Sequence, residues 1–139
     1  MTTTPSRAEE PRPIVVRASD ALARARIAAR AADDKKGEEV LVLDVGDIMS
    51  IVELFVITSA PNSRLVRTIV EAVEQQIFER TGEKPRAVEG LRDASWVLLD
   101  YGDLVVHVFL RETREFYGLE RLWADAPAVP WAADDTSAS

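Results

Sequence analysis

The 139-residue chain contains no cysteine and a single histidine. Without cysteine there is no disulfide, no thiolate zinc site and no cysteine nucleophile, and a cytoplasmic setting is the default expectation. Long apolar runs are missing too; none approaches the roughly 18 residues a membrane-spanning helix requires. The opening "MTTTPSRAEEPRP" lacks the apolar stretch of a secretory signal. No GxSxG, P-loop, HExxH or dinucleotide fingerprint occurs. What remains is a chain one domain long and 47% hydrophobic, sufficient for a real core.

Charge is unevenly spread. The net charge is −7. Residues 1–36 carry 8 basic and 5 acidic side chains, residues 37–124 carry 9 and 16, and residues 125–139 carry only Asp125, Asp134 and Asp135. An acidic body is repelled by phosphate backbones and shows no basic patch for sequence-specific nucleic-acid binding. It suits a basic protein partner, or simply solubility.

Residues 1–13, rich in Pro, Thr and charge, read as a flexible leader. Ser19 is placed to cap a helix through "DALARARIAARAADDKK" that Gly37 stops, with an apolar side of Leu22, Ile27 and alanines and the arginines as a solvated face. "VLVLDV" (40–45) and "ELFVIT" (53–58) read as strands. "PNSRLVRTIVEAVEQQIFERTG" (61–82) is the clearest helix: Asn62 or Ser63 caps it, Val66, Ile69, Val70, Val73 and Ile77 form its stripe, and Gly82 closes it. "KPRAVEG" (84–90) suggests a short strand and turn. "RETREFYGLERLW" (111–123) brings Phe116, Leu119, Leu122 and Trp123 to one side of a short helical segment, interrupted or bent at Gly118. Residues 125–139 read as a flexible tail in which only Trp131 is suited to dock, leaving 14–124 as one domain. The order α, β, β, α, β, β, β, α predicts an α+β fold with a mixed sheet of about five strands and helices packed on it.

"WVLLDYGDLVVHVF" (96–109) predicts a hairpin. With Tyr101-Gly102 as its loop, Asp100 pairs with Asp103, Leu98 with Val105 and Trp96 with His107. Val97, Leu99, Leu104, Val106, Val108 and Leu110 then form an aliphatic core face. Trp96, Leu98, Asp100, Asp103, Val105, His107 and Phe109 form an amphipathic one. One histidine and two turn aspartates offer no nucleophile, no oxyanion support and too few metal ligands, so catalytic, cofactor and metal sites are not expected. Trp96 fits either a core filler or a partner anchor.

"ELFVITSAPNSRLVRTIVEAVE", "VEG" (88–90) and "WVLLDYGDLVVHVFLRETREFYGLERLW" resemble the Iojap family, the ribosomal silencing factors, from about Glu38 to Trp123. The family pattern has an Asp and an aromatic before "FVI" where this chain has Glu53 and Leu54, and a Gly-containing turn where it has "SAPNS". The resemblance places the leader, the arginine-rich helix and the Trp131 tail outside the shared core. It implies a nucleotidyltransferase-like topology without nucleotide chemistry, and a cytoplasmic regulator, often homodimeric. Its partner would be the fourteenth protein of the large ribosomal subunit, at the face toward the small subunit, so that docking blocks subunit joining and represses translation when nutrients are short. Carried onto this sequence, the motif nominates Glu89, Trp96, Asp100 and Asp103, with His107 on the same face, then Arg114 and Tyr117. Leu119 and Trp123 are expected in the core. The alternatives are a large-subunit assembly factor, a nucleotidyltransferase-like enzyme using Asp100 and Asp103, and a purely self-associating module.

Overall fold

The structure, a computed structural model, describes residues 16–48 and 51–132; the expected leader lies outside them. The elements are α1 (Val16–Asp34), β1 (Glu38–Asp44), β2 (Leu54–Ala60), α2 (Ser63–Thr81), β3 (Ala87–Glu89), β4 (Trp96–Asp100), β5 (Leu104–Leu110), α3 (Arg111–Tyr117) and α4 (Leu119–Leu122). The five strands form one sheet in the order β1-β2-β5-β4-β3. β2 and β5 run parallel, and the other neighbours are antiparallel, so the expected mixed sheet is present. β2 is buried along its whole length and β5 up to Leu110, as central strands covered on both faces must be.

α1 and α2 pack on one face of the sheet. α2 follows the sequence reading closely. Asn62 caps it, its Oδ1 accepting the Leu65 N–H at 2.8 Å, and Val66, Ile69, Val70, Val73 and Ile77 are buried. Gly82 takes the left-handed position (φ 77°) that ends the helix. In α1 the thin apolar side works through smallness: Ala21, Ala25, Ala28, Ala29, Ala31 and Ala32 are all buried. Backbones approach closely where side chains are short.

Three details of α1 differ from the sequence reading. It begins at Val16, so Ser19 lies within the first turn instead of capping it. Lys36, with φ 70°, takes the left-handed position at its end. Gly37 is needed for a different reason, close approach: a Cβ there would stand 2.6 Å from Thr58 Oγ1 and 2.9 Å from Ala32 O. The Gly37 and Lys36 N–H groups bond back to Ala32 O (2.8 Å) and Asp33 O (3.0 Å), which closes the last turn. Lastly, Arg24 is buried instead of solvated, pairing with Asp103 Oδ1 at 2.7 Å and Glu83 Oε1 at 3.2 Å. Helical periodicity carries no signal for partners this distant in sequence.

The hairpin also differs in register. Trp96 faces Phe109, Leu98 faces His107 and Asp100 faces Val105. The turn centres on Gly102 and Asp103: the Tyr101 N–H bonds to Leu104 O at 2.8 Å, and Gly102 supplies φ 93°. A slip of two residues changes partners but not faces, so the expected division of the two strands stands. Asp103, in the turn, departs from it, because its carboxylate reaches Arg24 on the helix-covered side instead of joining the amphipathic face. Val97, Leu99, Leu104, Val106 and Val108 lie in the core beneath α1 and α2.

The C-terminal stretch is not a tail from residue 125. The Asp44 N–H bonds Pro127 O at 2.9 Å, and the Val129 N–H bonds Val42 O at 2.8 Å. The Trp131 indole donates to Val40 O at 3.1 Å, so the expected docking of Trp131 is present. This segment covers the open edge of β1, an edge otherwise available to a foreign strand.

Val106→Asp is expected to prevent stable folding. It places an unpaired carboxylate at a position 1% exposed, a cost of several kcal/mol against a total stability of about 5–15 kcal/mol. Far-UV circular dichroism with a thermal melt checks this; a cooperative transition near that of the unaltered chain would contradict the face assignment.

Candidate functional site

The second face of the sheet is covered unevenly. Leu43, Phe55, Ile57, Val105 and Phe109 pack with Leu119 and Ala126, and with the half-buried Trp123. Leu119 and Trp123 thus reach the core as expected. Phe116 and Leu122 do not: they are 78% and 74% exposed. Gly118 (φ 55°) breaks the segment into α3 and α4, and the single stripe drawn through it splits. The wing formed by β4 and β3 lies beside this cover, and its Trp96 and Leu98 stay half-exposed.

On that wing Glu89 lies opposite Leu98 and is exposed, and its side chain makes no hydrogen bond or ion pair among the described residues. Glu89, Gly90, Trp96 and Leu98 line a shallow concavity of about 320 Å³. Gly90 is required there: with φ 87°, a Cβ would fall 2.0 Å from Trp96 O. The Trp96 ring packs at 4.8 Å from Phe109 and 5.0 Å from Tyr117, centroid to centroid, and Tyr117 meets Phe116 edge-on at 5.0 Å. Tyr117 is itself exposed, so Leu98, Trp96, Tyr117 and Phe116 form a continuous apolar path flanked by Glu89.

The turn aspartates are engaged within the fold. Asp100 Oδ1 accepts the Gly102 N–H at 2.8 Å and so shapes the turn. The Asp103 carboxylate holds Arg24, and its main-chain oxygen accepts the N–H groups of Glu53 (2.8 Å) and Leu54 (3.2 Å). Among the described residues no group of three or more His, Asp or Glu side chains is placed to hold a metal ion.

Two residues nominated from the sequence lie beneath the surface instead of on it. Arg114 is 5% exposed. It donates to Glu38 O (3.0 Å), Ser59 Oγ (3.1 Å), Glu39 O (2.9 Å) and Glu120 Oε2 (3.1 Å), tying α3 to the β1–β2 end of the sheet. His107 is 4% exposed. Its Nδ1 accepts the Trp96 indole N–H at 3.1 Å, while Nε2 has no hydrogen-bond partner. Phe55 stands edge-on to it at 4.7 Å, and burial pushes its pKa down to about 4. A strand's alternation shows which face a residue is on, not how deeply neighbouring elements cover it. The interruption expected at Gly118 is present, and it separates Phe116 and Leu122 from Leu119 and Trp123 and leaves both at the surface.

Fold and site together define a small α+β domain with one face of its mixed sheet under helices and the other only partly covered. The profile of the family described as ribosomal silencing factor during starvation matches residues 18–139. The ribosomal silencing factor RsfS of Bacillus subtilis is 41% identical over 102 residues, covering 73% of this chain and 86% of that protein. The chloroplastic Iojap protein of Arabidopsis thaliana is 30% identical over 121 residues, 86% of this chain and 49% of that one. A crystal structure of a Chromobacterium violaceum protein superposes with a TM-score of 0.71 at 29% identity, covering 75% of this chain and 86% of that one. One from Bacillus halodurans gives 0.66 at 36% identity, covering 76% and 94%. The chain belongs to the ribosomal silencing factor family. Since the match spans 18–139, the arginine-rich helix and the Trp131 segment fall inside the family's extent, contrary to the sequence expectation.

His107 makes stability pH-dependent. Its folded pKa, about 4, lies below the ordinary 6.5, so the unfolded chain takes up a proton that the folded chain refuses. Stabilisation is therefore nearly complete above about pH 6.5 and falls as the pH drops toward 4, by at most ~1.4 kcal/mol per unit, midway between the two values. Urea unfolding at pH 6.5, 5.75 and 5 is expected to show this slope, and His107→Asn to flatten it. Equal slopes for the two proteins would place His107 in water.

Proposed function

We propose that the chain represses translation by docking on the fourteenth protein of the large ribosomal subunit, at the face toward the small subunit, and so keeping the subunits apart. The observation that carries this is the apolar path Leu98–Trp96–Tyr117–Phe116 beside the unpaired Glu89. An aromatic centre with a charged rim is the composition of a protein interface. The concavity between Glu89 and the Trp96 ring suits a cationic side chain, which would pair with the carboxylate and lie against the indole. Ribosomal proteins are basic and embedded in RNA, so a net charge of −7 favours the protein patch and disfavours the phosphates around it. Family membership supports the ribosomal setting.

In this reading Glu89, Trp96 and Tyr117 contact the partner, joined by Leu98 and Phe116. Asp100 and Asp103 set the rim through the turn they build, and His107 and Arg114 act from below. Nucleotide chemistry is disfavoured because the two aspartates are committed to the Gly102 N–H and to Arg24. Self-association through the same path is the second reading, favoured by the exposure of Phe116 and Leu122. The site of action is the cytoplasm, on free large subunits, with nutrient shortage as the occasion.

On a sucrose gradient the protein is expected to travel with free large subunits and, in excess, to keep large and small subunits apart. Trp96→Ala should weaken binding by about 2 kcal/mol or more, while costing the fold less than the ~3–5 kcal/mol of a fully buried tryptophan. Glu89→Gln should mainly slow association and reduce its salt dependence. If the unaltered protein stays at the top of the gradient at low and moderate salt, the docking reading is wrong. If it instead doubles in mass and Trp96→Glu returns it to a monomer, self-association is the better account.

A further inference from the structure

We propose that His107 is a positioning residue for docking: by accepting the Trp96 indole N–H it fixes the ring in the orientation the partner meets. This rests on Trp96 facing the partner, as argued above.

The surroundings of His107 are apolar. Phe55 stands edge-on at 4.7 Å and Phe109 stacks at 6.2 Å, with Leu98 opposite across the strands. A leucine or phenylalanine would fill such a space without desolvating an imidazole. The histidine instead leaves Nε2 without a partner, a loss that a residue present only for packing need not incur. What it gains is one acceptor, Nδ1, and that acceptor has one donor, Trp96 Nε1 at 3.1 Å. Because Nδ1 accepts, the proton of the neutral ring is on Nε2.

Trp96 is half-exposed near the border of the covered face, so packing reaches only part of its ring. Phe109 and Tyr117 lie against it at 4.8 and 5.0 Å, and the hydrogen bond fixes its rotation. Held in this way, the indole forms a wall of the concavity shared with Glu89, Gly90 and Leu98. A side chain ordered before binding need not lose its freedom on binding.

Two readouts on the full chain test this: affinity for isolated large ribosomal subunits, and the indole N–H resonances of the three tryptophans in an ¹⁵N-labelled sample, with Trp96 identified by its loss in Trp96→Phe. His107→Phe keeps an aromatic ring but no acceptor, and His107→Leu guards against a misfit of that ring. His107→Asn offers Oδ1 near the position of Nδ1. The folded Phe or Leu variant is expected to bind about three- to tenfold more weakly, the loss that corresponds to ordering one long side chain. Its Trp96 resonance should move and exchange faster with water, and His107→Asn should restore most of both properties. In a Trp96→Phe background the His107 change should cost nothing further, since its effect runs through the indole. The proposal is overturned if removal of the acceptor leaves the Trp96 resonance or the affinity unchanged. It is likewise overturned if the Asn variant loses as much as the Phe variant, or if the loss persists without Trp96. If Trp96→Ala binds as tightly as the unaltered chain, the docking reading fails and this one with it. If Trp96→Ala is weak and His107→Phe is not, only the role of His107 falls.

Discussion

The parallel pairing of β2 with β5 governs the rest of the molecule. Seven consecutive residue pairs, from Leu54–Leu104 to Ala60–Leu110, join two strands that are buried almost throughout. A strand apolar on both faces requires cover on both. α1 and α2 supply it on one side, where valines and isoleucines of α2 and alanines of α1 meet Val56, Val106 and Val108. Among the described residues no helix of comparable length covers the other side. The chain improvises there with the four residues of α4, Trp123 and the segment around Ala126, and these reach Phe55 and Val105 but leave Leu98 partly open. The exposed wing is thus a consequence of the fold's allocation of helices. A surface of this kind is suited to a partner, because the apolar area is already gathered on a rigid sheet.

Buried polar groups secure the improvised side and the turn end. Arg114 gathers main-chain oxygens of Glu38 and Glu39, the Ser59 hydroxyl and the Glu120 carboxylate around one guanidinium, joining β1, β2, α3 and α4 at a single point. At the opposite end Arg24 and Asp103 join α1 to the hairpin, and the Asp103 carbonyl continues the connection into β2. An arginine fork satisfies several acceptors in one plane, which lysine could not do. Removing either guanidinium would strand acceptors that water reaches poorly, so both residues belong to the scaffold of the docking wing even though neither touches its surface.

Local patterning carried the elements into view from the sequence. The stripe of α2, its Asn62 cap and the alternation of the hairpin depend on near neighbours, and these were readable. The two faces of the hairpin strands survived a wrong register because a slip of two preserves parity. What the sequence hid was contact between distant residues. Arg24 looked solvated because Asp103 stands 79 positions away, and Arg114 looked like a surface contact because its acceptors lie in β1 and β2. Trp131 sat in a stretch of tail-like composition, yet the bare edge of β1 gives that stretch a reason to be ordered. Phe116 and Leu122 share a helical side with Leu119 and Trp123 in the sequence, but the break at Gly118 separates them and leaves both exposed. For the site, Trp96 and Glu89 could be named but their geometry could not, because it depends on Gly90, on Tyr117 from another element and on His107 below.

The stretch that most resembles an active site, "WVLLDYGDLVVHVF", contains each of its polar residues for a separate structural reason. Asp100 turns the chain by holding the Gly102 N–H, Asp103 anchors α1, and His107 holds the Trp96 indole. None of the three has its reactive atom directed at a common point, and general acid–base chemistry requires such convergence. Burial also removes His107 from the range in which a histidine exchanges protons near neutrality, since its pKa falls to about 4. Proximity in sequence is therefore a poor guide to shared chemistry within a hairpin, where successive side chains are sent to opposite faces and turn residues answer to the backbone. What the stretch does assemble is a rigid aromatic surface with its indole N–H satisfied from below. Such a surface recognises a partner by shape and charge, and asks no proton transfer of the residues that hold it in place.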